Sequence, residues 1–103
     1  MKDKANGKMV VGLCRLDLII PAAANLKGKR QVIKSLVTRM RNSFNISVAE
    51  VGNHDLWQRT ILGLSLVGND RKFVDQVISK VVDFIQASGS LTIVNQEREI
   101  INY

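Results

Sequence analysis

The chain holds one cysteine, one proline and one histidine in 103 residues. A lone thiol, Cys14, excludes an intrachain disulfide framework and the small secreted scaffolds that rely on one. One His with one Cys cannot supply the three or four ligands of a zinc site. Aromatic residues number five, with Trp57 the one tryptophan. No apolar run approaches the roughly 20 residues that span a bilayer. Residues 1–8 are polar and lack the apolar core of a signal peptide, so the expected location is the cytoplasm, away from membranes. Acidic residues are also short: 9 Asp and Glu against 15 Lys and Arg give a net charge of +6 and an isoelectric point near 9.9. Such a surplus favours anionic partners, nucleic acid above all.

What is present is a hydrophobic fraction of 46%, enough for one folded domain and too much for a disordered chain. Residues 1–8 read as a flexible N-terminal extension and residues 9–103 as a single domain. Met9 to Ile20 is β-branched and alternates, a long strand that Pro21 closes by withholding a ladder donor. From Leu26 to Phe44 the period changes. Leu26, Ile33, Leu36, Val37, Met40 and Phe44 fall on one helical stripe, with Asn25 as N-cap. Ile46 to Val51 alternates as a short strand, Gly52 to Asp55 is a turn cluster, and a strand runs from about Trp57 to Val67. Asp70 caps a second helix, Arg71 to Ala87, which Gly89 stops. A last strand runs from Leu91 to Ile101.

The order β-α-β-β-α-β, with right-handed crossovers, places both helices on one face of a four-stranded antiparallel sheet. The expected fold is thus an α+β, ferredoxin-like sandwich. Its sheet would give Cys14, Leu16, Leu18, Leu62, Leu64 and Leu66 to the core. The other face would carry Val11, Leu13, Arg15, Asp17 and Ile19 beside Trp57, Arg59, Ile61, Gly63, Ser65 and Val67. Half of that set is apolar, which suggests cover by a second copy or another partner. Base stacking on that face is not expected, because sheet-face RNA readers use two or three aromatics there and only Trp57 is near.

The first helix carries Lys27, Lys29, Arg30, Lys34, Arg39 and Arg41 with no acidic residue among them. At 100° per residue, Lys27, Arg30, Lys34 and Arg41 lie within about 60° of one another, beside the apolar stripe. Long cations along a helix edge suit a phosphate backbone and carry no base readout. The segment Gly52 to Arg59 holds His54 next to Asp55, yet no oriented nucleophile–base pair accompanies them, since Cys14 is expected in the core. Trp57, Gln58, Arg59 and Ile61 read instead as a partner contact, Trp and Arg being frequent hot-spot residues. Glu97 and Glu99 share one face of the last strand while Arg98 takes the other, and pairing with Arg15 or Arg59 would satisfy the carboxylates. No cofactor, metal or small-molecule substrate is indicated.

The runs Leu26-Lys27-Gly28-Lys29-Arg30, Val48-Ala49-Glu50-Val51, Asp55-Leu56-Trp57-Gln58-Arg59, Gly68-Asn69-Asp70 and Glu97-Arg98-Glu99-Ile100 resemble those of the YlxP-like family of small bacterial proteins. The resemblance covers the chain from Met9 onward and implies a ferredoxin-like fold without an assigned enzymatic activity. Members of that family typically begin at a position like Met9. Their genes often sit among those for translation initiation and ribosome maturation, which implies ribosomal RNA or a ribosomal particle as partner. Asn25 and Gly28 stand where members commonly have Ser and an acidic residue, making this helix start more flexible and more positive. The expected protein is a non-enzymatic accessory factor that contacts RNA through Lys27, Lys29, Arg30, Lys34 and Arg41. The alternative is a homodimeric interaction module using the open sheet face and the Trp57 loop.

Overall fold

Six elements follow the expected order in the computed structural model, which describes residues 7–103. They are β1 (Val10–Ile19), α1 (Leu26–Ser43), β2 (Ser47–Gly52), β3 (Arg59–Gly68), α2 (Arg71–Ala87) and β4 (Thr92–Asn102). The N-terminal extension expected over residues 1–8 lies outside the described residues, apart from Gly7 and Lys8.

Both helices start where the sequence supplies an acceptor for their orphan amides. Asn25 accepts from the Gly28 amide at 2.7 Å, and Asp70 from the Phe73 amide at 2.9 Å. Gly89, just beyond α2, takes a φ of 74°, a conformation that costs glycine nothing.

The strands form one antiparallel sheet in the order β2-β3-β1-β4. Alternation along β1 turns Val10, Cys14, Leu16 and Leu18 toward the helices, and β3 turns Leu62, Leu64 and Leu66 the same way. From the helix side, Leu36 and Met40 of α1 and Val74, Ile78, Val81 and Ile85 of α2 close the core at zero exposure. Each such side chain contributes roughly 1.5–3 kcal/mol by leaving water. Phe44 and Phe84 meet edge to face at 5.7 Å and join the far ends of the helices. Over β1, Val74 approaches so closely that a Cβ on Gly12 would stand 2.5 Å from its Cγ1. A side chain there would push α2 off the sheet.

One boundary departs from expectation in a way that matters. β3 begins at Arg59 rather than Trp57, because Gln58 turns its backbone oxygen to the Ile20 amide at 2.9 Å and its side chain elsewhere. Trp57 therefore sits in the β2–β3 loop and not on the sheet face.

Candidate nucleic-acid interface

The basic residues of α1 part company in the structure. Lys27, Arg30, Lys34 and Arg41 are exposed, as is Arg39, whose guanidinium lies 6.0 Å from the Phe84 ring on the α2 side. Lys29 is a correction: it is 1% exposed, so it cannot reach a phosphate. It occupies the first-turn position of the buried stripe that continues through Ile33, Leu36 and Met40. Spacing alone gives the signal, since Lys29 lies four residues before Ile33 and seven before Leu36. Grouping it with the other cations hid that phase.

The Lys29 ammonium is held by groups from β2 and the loop after it. Nζ lies 2.9 Å from Glu50 Oε2 and donates to the carbonyls of Asn53 at 2.5 Å and His54 at 3.3 Å. Thr60 Oγ1, itself fully buried, donates to Glu50 Oε2 at 2.6 Å. Asn53 can present its carbonyl because it adopts a φ of 59°, a left-handed turn that asparagine tolerates. Burial, the largest single effect on the Glu50 carboxyl, pushes its pKa up. The hydrogen bonds from Thr60 and Lys29, with the charges of Lys29 and His54, outweigh it and hold the pKa below the usual 4.5.

That depression fixes a pH dependence. A carboxyl with a lowered folded pKa binds its proton more readily in the unfolded chain, so stability rises with pH across the gap. The contribution is complete above the ordinary value near 4.5 and is lost as pH falls through the lower folded value. Glu50→Gln is expected to flatten the acid limb of a stability–pH curve below that point and to lower stability at neutral pH. Urea unfolding across the acid range checks this, and an unchanged acid limb would contradict it.

Between α1 and the edge strand β2 runs a groove of about 270 Å³, lined by Arg30, Lys34 and Arg41 with Ile33, Val37 and Val48. The carboxylate that also lines it is Glu50, already engaged by Lys29. Arg41 donates through Nη2 to the Val48 carbonyl at 2.9 Å, which fixes its guanidinium at the groove mouth. His54 Nε2 lies 3.3 Å from the Glu50 carbonyl and can donate to it in the Nε2–H tautomer. These two contacts occupy carbonyls of an edge strand that would otherwise invite pairing with another chain. Arg30 and Lys34 are like charges one helical turn apart, an arrangement that weakens a helix by a few tenths of a kcal/mol. Stability of α1 gives no reason for them.

Two of the four residues expected to contact a partner, Gln58 and Arg59, are drawn into internal bonds. Gln58 Nε2 donates to the carbonyls of Pro21 at 3.4 Å and Ala23 at 3.2 Å, tying the two loops at this end of the sheet together. Arg59 grips Asp17 through Nη2 at 2.9 and 2.8 Å, not Glu97 or Glu99. Arg98 turns to the helix side, 2.8 Å from Asp75 Oδ1 and 2.9 Å from Ser79 Oγ. Ile61 is half-buried on the open face, and Trp57 is 50% exposed in its loop. Burial pushes the Cys14 thiol above its usual pKa, with the Arg98 charge opposing, so the one thiol is a poor nucleophile. Among the described residues no three His, Cys, Asp or Glu side chains gather as metal ligands, and no helix is long and apolar enough to cross a membrane.

Strand order and helix placement define the class: a ferredoxin-like α+β sandwich, here with a basic groove along its first helix. A family model described as "Protein of unknown function (DUF503)" matches residues 11–98, and the chain belongs to that family. The "Uncharacterized protein YlxP" of Bacillus subtilis (strain 168) is 37% identical over 78 residues, 76% of this chain and 85% of that protein. Among solved structures, the de novo designed protein Foldit4 is similar at a TM-score of 0.47 and 14% identity, covering 92% of this chain and 96% of that one. A dimeric ferredoxin-like protein from an uncultured marine organism is similar at a TM-score of 0.44 and 14% identity, over 91% and 95%.

Proposed function

We propose that this protein is a non-enzymatic accessory factor that contacts RNA, ribosomal RNA in the first instance, through phosphates seated along the α1–β2 groove. One observation carries the reading. Arg30, Lys34 and Arg41 converge on a groove whose lining carboxylate is already neutralised from within the fold. Lys27 extends the positive edge by one turn. Backbone contact of this kind positions a protein on RNA without reading its bases. The translation-linked setting that the family resemblance implies makes the ribosome the natural first substrate to test.

Sedimentation of tagged protein from a lysate through sucrose gradients provides that test. Co-migration with a ribosomal subunit at low salt, lost at raised salt, is the expected outcome. Migration at the top of the gradient at both salts would overturn the ribosomal reading.

A second reading is self-association through the open sheet face. Half-buried or exposed apolar residues mark both its ends: Val11, Val67 and Ile101 at one, Ile19 and Ile61 at the other. Acidic Glu97 and Glu99 on the same face make it unsuited to phosphate.

A further inference from the structure

The open face is divided into a bulky half and a small half. Two adjacent rows across its middle read Ala49, Gly63, Arg15, Glu97 and Ser47, Ser65, Leu13, Glu99, in the order β2, β3, β1, β4. On β2 and β3 every one of these positions holds Gly, Ala or Ser. On β1 and β4 every one holds a long side chain. The small half forms a trough of about 630 Å³ with Arg15, Leu13 and the two glutamates at its side. Val51 packs against Gly63, where a Cβ would stand 3.1 Å from its Cγ1, and bounds the trough on that side.

We propose that a second copy of this chain covers the face, related by a two-fold axis that runs parallel to the strands between β1 and β3. This rests on the self-association reading and adds the geometry of the pair. Such an axis keeps each row at its own height and exchanges left for right. The bulky β1–β4 half of each copy is then laid into the small-residue half of the other. Arg15 lies over the partner copy's Gly63, Leu13 over its Ser65, Glu97 over its Ala49 and Glu99 over its Ser47.

Chemistry matches at these positions as well as shape. Arg15, Glu97 and Glu99 have no ion-pair partner within 4.0 Å among the described residues. Arg15 faces Glu97 across the β1–β4 ladder and can pair with it once water is displaced. Ser47 offers Glu99 a hydroxyl donor. The glutamates lie on an edge strand and so fall at the rim, while Leu13 and Arg15, on the central strand β1, are enclosed. Three strands of 10 or 11 residues and one of 6 present roughly 600 Å² of projected area per copy, at the lower end of the range for standard interfaces. An axis turned by 90° would lay each strand over its own copy, bulky half on bulky half, and leave the trough empty.

Sedimentation equilibrium and cross-linking of cysteine variants test the pair. Ala49 and Glu97 are exposed, so neither substitution threatens the fold, and Cys14 is buried from reagents. Wild-type protein is expected to be dimeric at tens of micromolar. With a short bismaleimide, an equimolar mixture of Ala49→Cys and Glu97→Cys should give a covalent dimer, while each variant alone should not. A monomer at all concentrations would overturn self-association. A dimer whose mixture does not cross-link, or in which Ala49→Cys links to itself, would overturn the axis and leave self-association standing.

Discussion

Lys29→Ala is expected to destabilise the fold by about 3 kcal/mol, a loss of more than 10 °C in Tm for a domain of this size. Breaking a buried ion pair from one side costs roughly 3–5 kcal/mol, because the remaining charge loses its partner without regaining water. Here the remaining charge is Glu50, whose side chain is 21% exposed against 1% for Lys29, which sets the effect at the low end. The carbonyls of Asn53 and His54 lose their donor at the same time. Lys27→Ala, at an exposed position two residues earlier, should stay within about 0.5 kcal/mol. Lys29→Met separates packing from charge: it restores the stem but not the pair, so it should recover only part of the loss. Urea denaturation of the three variants reads these differences. Equal stability of Lys29→Ala and Lys27→Ala would show that the buried pair holds nothing together.

The second large effect is on binding. The triple variant Arg30→Ala, Lys34→Ala, Arg41→Ala is expected to lose at least about 100-fold in affinity for RNA, taking about 1 kcal/mol per charged contact as a floor. Its fold should survive, because all three side chains are exposed and Arg41 alone makes a hydrogen bond, to the edge carbonyl of Val48. Arg39→Ala, which removes an exposed cation on the α2 side of the same helix and outside the groove lining, should bind RNA as the wild type does. That contrast distinguishes the groove from basic charge in general. Fluorescence anisotropy with a labelled ribosomal RNA fragment measures both.

Most of the fold was legible because each element has one dominant period. Alternation in β1 and the i, i+3, i+4 stripes of both helices leave little choice of face, and Asn25 and Asp70 announce the helix starts. Two features were hidden. The start of β3 was masked by Trp57 and Gln58, whose strand-like composition yields to the Gln58 bonds across to Pro21 and Ala23. Pairs made across long sequence separations, such as Arg59 with Asp17, have no local signature.

The candidate site was legible in charge but not in depth. Helical phase placed Lys27, Arg30, Lys34 and Arg41 together, and three of them line one groove. Lys29 was misassigned by residue type, since lysine is almost never fully buried unless paired. Its pairing depends on Glu50, which alternation sets on the helix-facing side of β2 with Val48. Read together, the phase of Lys29 and the phase of Glu50 point to each other.

The measurement that bears most directly on the proposed function is the salt dependence of RNA binding by the wild-type protein. Four phosphate contacts to single-stranded RNA should give a log–log slope of about −3, and the triple variant a slope near −1, each contact being worth roughly 0.7. A slope near zero in the wild type, or an equal slope in the variant, would contradict the groove as a phosphate-binding surface.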